Sequence, residues 1–362
     1  MGFLVKVYRQ SIRDFLRSDS FIPEIGAGIN ISVAKGTESH YNRGRIQTEM
    51  ETQMKYYLAP MEGLTTYNFR RTWHKYYGGM DRYFTPFLAN RHMNSRERND
   101  VLPEHNVGME VVPQILTNRA DEFLELAEQL AGYGYKCVNL NLGCPSGTVV
   151  ARNRGAGFLR IPAELETFLD EIFEKCPLGI SVKTRIGVED VAEWETLLAI
   201  YERFPMEELI IHPRLQREGY GGTPHLKAFA EALDRFAFPL CYNGDIVSDA
   251  ALKEILAVLP GTDTVMIGRG ILYNPGLLQE LKSGGTQPID YETLHAFHDE
   301  LLDGYIEIMS GDTNTLYKMK DLWTFLIRSF PNGEKSLKKI RKSKHLTDYQ
   351  IAVGELFRTV TG

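Results

Sequence analysis

The chain has 362 residues and a formal net charge of −6, with the composition of an ordinary globular protein. Its length allows a large core and a second, smaller domain. The acidic balance excludes binding of nucleic acid through overall charge, so any such binding must rest on local basic patches. No apolar run is long enough for a membrane span. The four cysteines form no Cys-x-x-Cys pair, which argues against zinc or other metal ligation and against disulfides, and predicts a reducing, cytoplasmic location.

The first 53 residues do not share the pattern of the rest of the chain. They combine spaced arginines with a polar, glycine-containing stretch. We interpret residues 1–53 as an N-terminal extension, either poorly ordered or lying upstream of a true start codon at Met50 or Met54.

Short apolar, β-rich runs recur from residue 54 onward, and most are separated by segments with helical spacing. The eight runs are 56–61, 83–88, 111–116, 137–142, 180–186, 209–212, 240–243 and 264–267. Strands that alternate with helices predict βα units and a parallel sheet. Eight units favour a (β/α)8 TIM barrel over an open doubly wound sheet, and we assign residues 54–285 to this α/β barrel.

Residues 286–362 carry only helical patterns and predict a small all-helical C-terminal domain. One of its segments, residues 335–345, is densely basic in an otherwise acidic chain. It is either a solvated helix face or a contact for a phosphate backbone. The candidate phosphate contacts are Lys338, Lys339, Arg341 and Lys342.

Polar and glycine residues cluster where the predicted barrel strands end, which is the catalytic face of a TIM barrel. Cys144 follows the fourth strand in the run Asn-Leu-Gly-Cys-Pro. Taken alone, this thiol is more typical of a small buried hydrophobe than of a catalytic group. Its place between helix- and strand-breaking residues at a strand end favours a site residue.

Two late motifs indicate a phosphorylated ligand. Asn243-Gly244-Asp245 follows the seventh strand and Gly268-Arg269 follows the eighth. The loops after these two strands bind phosphate in many TIM barrels, through glycine N–H groups and charged donors. Either motif alone would be weak evidence, because Asn-Gly-Asp is also a common turn.

Three further polar residues lie on or after strands. Lys183 is flanked by apolar residues and is either a Schiff-base lysine or a fixed cation beside an anionic ring. Gln114 can recognise an amide-like edge with its paired donor and acceptor. His212 is either a satisfied core histidine or a ligand contact.

Together these residues resemble the flavin-dependent tRNA-dihydrouridine synthases. The matching segments occur in family order and spacing and are 59–63, 69–70, Gln114, 141–145, 155–157, 182–187, His212, 243–246 and 266–270. The resemblance covers about residues 54–345. It implies a TIM barrel that carries FMN, followed by a helical tRNA-binding domain.

The resemblance also implies residue roles. FMN contacts are implied for Pro60, Met61, Glu62, Gln114, Lys183, His212, Asn243, Gly244, Asp245, Gly268 and Arg269. A contact to the target uracil is implied for Asn141, and Arg185 is a further candidate substrate contact. The candidate contacts to tRNA phosphates are the basic segment with Arg152 and Arg154, two arginines that are either phosphate contacts or ordinary loop charges. Glu62 stands where the family usually has a small residue, and Pro213 follows His212 where Gly is commoner.

The chemistry that the resemblance implies is a reduction. NADPH or NADH reduces FMN, the flavin passes hydride to C6 of a uridine, and Cys144 protonates C5. We expect a monomer with no metal. The alternatives are another flavin-dependent barrel reductase (dihydroorotate dehydrogenase-like or an ene-reductase), a non-redox phosphate-binding barrel or an aldolase that uses Lys183, and an RNA-binding scaffold without activity.

Overall fold

The computed structural model describes residues 53–361. Residues 1–52, which make up nearly all of the predicted N-terminal extension, lie outside the described residues. Residues from Met54 onward belong to one compact unit.

The described strands form one parallel sheet. They are β1 (Lys55–Leu58), β2 (Arg82–Phe84), β3 (Val111–Val112), β4 (Gln114–Ile115), β5 (Cys137–Leu142), β6 (Gly179–Arg185), β7 (Glu208–His212), β8 (Leu240–Asn243) and β9 (Thr264–Ile267). Their order is β3-β2-β1-β9-β8-β7-β6-β5-β4. Strands β3 and β4 are separated only by Pro113, so the sheet starts and ends on two halves of one strand. The sheet is therefore closed, and the predicted eight-stranded TIM barrel is confirmed.

The helices alternate with the strands as far as residue 283 and then follow one another. Those of the barrel are α1 (Tyr67–Tyr76), α2 (Ser95–Val101), α3 (Ala120–Gly132), α4 (Gly147–Val150), α5 (Pro162–Lys175), α6 (Glu193–Tyr201), α7 (Leu226–Arg235), α8 (Asp249–Val258), α9 (Arg269–Tyr273) and α10 (Leu277–Ser283). Those of the C-terminal region are α11 (Tyr291–Ile308), α12 (Gly311–Leu326), α13 (Glu334–Lys342) and α14 (Leu346–Thr361). Within residues 53–361, none of these helices could cross a membrane.

Side chains inside the barrel are mostly apolar, but Glu208, the first residue of β7, is a buried acid at the amino end of the strands. A core cluster contains Tyr57, Phe84, Ile210 and Cys241. The Tyr57 hydroxyl donates a 2.9 Å hydrogen bond to Oε1 of Glu208, while Oε2 of Glu208 is buried without a hydrogen bond. Because burial disfavours the charged form, the pKa of Glu208 is raised to about 6.

The C-terminal helices pack against the barrel along α1. Nδ2 of Asn68 donates to the carbonyl of Leu301, and the Thr66 and Tyr305 hydroxyls lie 3.0 Å apart. A Cβ at Gly304 would lie 2.3 Å from Oδ1 of Asn68, so glycine lets α11 approach α1 closely. This contact holds the helical region near the β1 end of the barrel.

Candidate active site

The Cys144 turn is fixed by a side chain of the strand that precedes it. Oδ1 of Asn141, near the end of β5, accepts hydrogen bonds from the backbone N–H groups of Gly143 (3.0 Å) and Cys144 (2.9 Å). A Cβ at Gly155, whose φ is +56°, would lie 2.9 Å from the Cys144 carbonyl, so the next loop packs directly on the turn. The thiol is thus held at the carboxyl end of the strand, where the sequence predicted it.

Burial raises the pKa of the Cys144 thiol, and the nearby Glu62 carboxylate raises it further. A hydrogen bond with the Ser146 backbone opposes this shift, and the cationic groups of Arg185 and Lys183 act in the same opposing direction. Because burial dominates, Cys144 stays protonated at neutral pH.

Lys183 lies in β6 beside Asn141 of β5, two residues before the end of its strand. Burial lowers the pKa of its ammonium to about 8, with nearby Arg185 acting in the same direction. Among residues 53–361 no hydrogen-bond acceptor or counterion is found for Nζ. The side chain is half-buried, and a half-buried cation without a partner fits an anionic or electron-rich ligand group.

Gln114 and Asn141 are joined directly. Nδ2 of Asn141 donates to Oε1 of Gln114 at 2.8 Å, and Nε2 of Gln114 donates to Oδ1 of Asn139 at 2.7 Å. Both amides are buried, and Gln114 keeps one N–H and one lone pair for a ligand.

His212 at the end of β7 is neutral. Burial lowers its pKa well below the usual value, and Arg185, Lys183, Arg214 and Arg269 add to the effect. Nη1 of Arg214 lies 3.1 Å from Nε2 of His212, and an arginine can only donate. The ring proton is therefore on Nδ1, which can donate to a ligand.

The loops after β8 and β9 meet through charged side chains. The Asp245 carboxylate accepts from Arg269 (2.7 Å) and from both terminal nitrogens of Arg214 (2.5 and 3.1 Å). Asn243 donates to the carbonyl of Met266 at 2.8 Å, which ties the two strand ends together. Asp245 thus orients two arginines, and Arg269 keeps further donors for a ligand.

Two glycines in these loops bring backbone donors to the same place. No acceptor within the described part of the chain binds the N–H groups of Gly244 and Gly268. At Gly244 a Cβ would lie 2.8 Å from the Tyr242 hydroxyl, so a side chain would be obstructed there. Unpaired N–H groups beside an arginine fit a phosphate monoester, as the sequence predicted.

Arg185 ties the Cys144 turn to the loop after β7. It donates to the carbonyls of Gly143 (2.9 Å), Leu215 (2.9 Å) and Gly219 (2.7 Å), and it is buried. The same loop carries Tyr220, which is 49% exposed and whose ring lies 4.9 Å from the Arg269 guanidinium. An exposed aromatic ring between glycines thus borders the site.

The turn that follows β1 contributes Pro60, Met61 and Glu62 to the site. Met61 donates its N–H to the Thr65 hydroxyl at 2.8 Å, which closes the turn. Oε1 of Glu62 pairs with Arg96 at 2.6 Å, whereas its Oε2 is buried without a hydrogen bond. Because of its burial, the pKa of Glu62 is raised, and Arg96 opposes this.

The predicted tRNA contacts lie further out. Arg154 pairs with Glu122 at 2.9 Å and also reaches Asn118, so much of its hydrogen-bonding capacity is used within the protein. Arg152 is exposed on the same loop. The side chains of α13 are all exposed at the four predicted positions, Lys338, Lys339, Arg341 and Lys342.

Three residues of this arrangement had no role in the sequence prediction. Arg214 is fully buried and also donates to the carbonyls of Gly221 and Gly222. Asn139 supports Gln114, and Tyr220 borders the mouth. Only Tyr220 had a visible signal, the run Gly219-Tyr-Gly-Gly222.

The fold and site define a TIM-barrel enzyme whose strand ends carry an arginine beside glycine N–H groups, an unpartnered lysine and a thiol. A model of the dihydrouridine synthase (Dus) family matches residues 57–353. The chain belongs to this family of oxidoreductases, which reduce uridine to dihydrouridine.

Several curated proteins are similar in sequence to this chain. The tRNA-dihydrouridine(16) synthase of Shewanella oneidensis is 28% identical over 240 residues, which cover 65% of this chain and 74% of the relative. The tRNA-dihydrouridine synthase B of Pasteurella multocida is 29% identical over 234 residues, covering 63% and 68%. Among solved structures, morphinone reductase is 13% identical with a TM-score of 0.44, covering 66% of this chain and 88% of that one.

Proposed function

We propose that this enzyme reduces the C5–C6 bond of specific uridines in tRNA, with FMN as cofactor and NADPH or NADH as reductant. Residues 54–285 are the catalytic domain and residues 286–362 bind tRNA. The observation that carries the proposal is the Cys144 thiol, held by Asn141 at the end of β5, with the unpartnered ammonium of Lys183 on the neighbouring strand β6. The names of the curated relatives support tRNA as the substrate.

FMN, when bound, supplies the hydride that adds to C6 of the uracil. Its phosphate is held by Arg269 and by the N–H groups of Gly244 and Gly268, with Asp245 orienting Arg269 and Asn243 fixing the strand end. His212 donates from Nδ1 to the same ligand. Gln114 and Lys183 bind the pyrimidine edge of the ring, and the turn of Pro60, Met61 and Glu62 lies beside it.

Cys144 completes the reduction by donating its proton to C5 of the uracil. Its raised pKa supports this role because the group must be a thiol, not a thiolate, when the base arrives. Asn141 and Arg185 face the uracil and hold the Cys144 turn. The unpaired thiolate left after proton transfer is stabilised by Lys183 and Arg185 until it is reprotonated from solvent.

The target uridine must leave the base stack to reach this mouth, at a cost of a few kcal/mol. Contacts to tRNA phosphates offset that cost. We assign these contacts to Lys338, Lys339, Arg341 and Lys342 of α13 and to Arg152 and Arg154 at the barrel rim. We expect the enzyme to act as a monomer in the cytoplasm.

Replacement of Cys144 tests the proposal. The purified Cys144→Ala enzyme is expected to retain FMN, seen as flavin absorbance, yet to form dihydrouridine in tRNA about 10²–10⁴-fold more slowly, the usual contribution of a positioned acid. Cys176→Ala removes a partly exposed thiol at the end of α5 and serves as the matched control.

Three results would contradict the proposal. A Cys144→Ala enzyme with the wild-type rate would remove the thiol from the mechanism. A wild-type protein that purifies without flavin would refute the cofactor. Oxidation of dihydroorotate, or reduction of an activated alkene in a small molecule, with tRNA left unmodified, would favour another flavin-dependent barrel enzyme.

A further inference from the structure

We propose that Asn139 and Ser181, which lie below the site, are positioning residues that fix the orientation of Gln114, Asn141 and the Cys144 turn. Together with Gln114 and Asn141 they form a chain of buried side-chain hydrogen bonds, here called the amide relay. This inference rests on the proposed function, because it concerns the groups assigned there to the ring and the uracil.

The amide relay crosses three neighbouring strands. Gln114 of β4 pairs in register with Asn139 of β5, and Asn139 pairs with Ser181 of β6. Nδ2 of Asn139 donates to Oγ of Ser181 at 2.9 Å, and the next two links are 2.7 and 2.8 Å long. The relay residues below Asn141 are each at most 1% exposed, so water cannot replace a lost link easily.

The direction of every link follows from the upper end of the amide relay. The backbone N–H groups of Gly143 and Cys144 can only donate, so the Asn141 atom that faces them must be its oxygen. Its amide nitrogen then faces Gln114, which must present oxygen to Asn141 and nitrogen to Asn139.

The same argument applies to the remaining links of the amide relay, as far as Ser181. Asn139 must accept through Oδ1 and therefore donates through Nδ2 to Ser181, whose hydroxyl turns to the carbonyl of Val138 at 3.3 Å. No amide in the relay can flip alone without placing two donors or two acceptors against each other.

Asn139 is thus the acceptor that keeps Gln114 in one of its two possible orientations. If Gln114 flips, it presents nitrogen to the nitrogen of Asn141, and Asn141 loses its lower anchor. Asn141 can then rotate away from the N–H groups of the Cys144 turn. Loss of the Asn139 acceptor therefore changes the position of the Cys144 thiol, although the two side chains are not in direct contact.

Three variants separate this role from simple core packing. Asn139→Leu keeps the branched shape and the number of side-chain heavy atoms but cannot accept a hydrogen bond. Asn139→Asp still accepts from Gln114, and the Ser181 hydroxyl can rotate to donate to it. Thr184→Val is the matched control, because Thr184 is a buried β6 residue whose hydroxyl bonds to Tyr201 at 2.9 Å, outside the amide relay.

The measurements are made on the full-length purified proteins. The rate of iodoacetamide labelling of Cys144, mapped by peptide mass spectrometry, is expected to rise about 3- to 10-fold in Asn139→Leu, the factor that corresponds to one lost hydrogen bond. The kcat with tRNA is expected to fall about 10²-fold, as for a misplaced reacting group. Asn139→Asp and Thr184→Val should stay near wild type in both measurements.

The labelling rate of Cys144 can be measured whether or not the enzyme turns over tRNA. The result therefore distinguishes this proposal from the proposed function. A wild-type enzyme that makes no dihydrouridine would refute the function, while labelling would still test the amide relay. The relay is overturned if Asn139→Leu labels and turns over like wild type, if Asn139→Asp is as impaired as Asn139→Leu, or if Thr184→Val shows the same losses.

Discussion

In the proposed mechanism Cys144 must remain a thiol until the uracil arrives, and its neighbours shift its pKa in opposite directions. Burial and Glu62 raise the pKa, while a hydrogen bond with the Ser146 backbone and the cations Arg185 and Lys183 lower it. Both cations have other tasks, since Arg185 ties two loops together and Lys183 is proposed to bind the ring. Glu62 therefore offsets a positive potential that the site needs for other reasons.

Glu62→Gln is expected to lower the pKa of Cys144. The substitution removes a negative charge and leaves Arg96 unpaired, and both changes favour the thiolate. The midpoint of a profile of Cys144 alkylation rate against pH should move to lower pH. The alkaline loss of dihydrouridine formation should move the same way.

The control for this prediction is Glu122→Gln, which breaks an acid–arginine pair of similar geometry at the rim, with Arg154 at 2.9 Å. It should leave the Cys144 profile unchanged. An unshifted profile in Glu62→Gln would show that Glu62 does not act on the thiol.

Because of Glu208, the free energy of unfolding of the protein should decrease as the pH rises. Its pKa is raised to about 6 in the folded state, so folding favours the protonated form. This contribution is fully present below about pH 4.5, the unfolded pKa, and is lost as the pH rises through about 6. The loss is about 2 kcal/mol.

Glu208→Gln should remove that loss. Between pH 4.5 and pH 7, the free energy of unfolding of the wild type should fall by about 2 kcal/mol relative to the variant. Urea unfolding at a series of pH values measures the difference, and a constant offset between the two proteins does not affect it. The exposed Glu104→Gln substitution should run parallel to wild type; parallel curves for Glu208→Gln would contradict the assignment.

Sequence patterns identified the residues that follow strands directly but not those that act through the folded barrel. Cys144 and His212 stand beside obvious strand ends. Arg214 binds Asp245, which lies 31 residues further along the chain, and no local pattern reports such a pair. Asn139 reads as one more position in an alternating strand until the register places it between Gln114 and Ser181.

At the scale of elements, the close contact of α11 with α1 depends on glycine. Helical glycine normally costs about 1 kcal/mol relative to alanine. At Gly304 that cost is offset, because any side chain would displace Asn68 and break its bond to Leu301.

Gly304→Ala should therefore destabilise the protein by about 1–3 kcal/mol, as expected for an overpacked contact. Gly354→Ala is the matched control, since Gly354 lies within α14 and a Cβ there meets nothing within 4 Å. It should stabilise the protein by about 0.5–1 kcal/mol. Urea unfolding of both variants checks the prediction, and equal effects at the two sites would contradict it.

Element boundaries were predicted well where periodicity was strong and missed where one residue intervened. The strand predicted over residues 137–142 has those bounds in the structure, whereas the predicted third strand is two short strands. Pro113 separates them because proline has no N–H for the sheet. Its carbonyl still accepts from Asn139 at 2.8 Å, which keeps the barrel closed at this point.

At the scale of the whole molecule, an acidic protein is proposed to bind an acidic substrate through one helix. Helix α13 carries lysines and arginines on its exposed face, and only part of this charge is neutralised, as in the 2.7 Å pair between Lys339 and Glu355. Lys338 and Lys342 lie one turn apart on the same side of the helix.

Replacing Lys338 and Lys342 by glutamine should weaken tRNA binding and reduce its salt dependence. The slope of log K against log salt should fall by about one per lysine that contacts phosphate. The KM for tRNA should rise while kcat is kept, because the barrel mouth is untouched. Lys175→Gln with Lys253→Gln, two exposed lysines of barrel helices, is the control; equal slopes for both double variants would contradict the assignment to α13.

The directional amide relay also restricts how this sequence can diverge. An acid at position 114 can still accept a hydrogen bond from Asn141. The Asn139 amide must then flip so that its nitrogen donates to that acid, and the Ser181 hydroxyl must donate to the Asn139 oxygen. Position 141 cannot follow, because backbone N–H groups lock it. A substitution at position 114, 139 or 181 should therefore be tolerated only where the remaining amide and hydroxyl groups can turn so that every link still joins a donor to an acceptor.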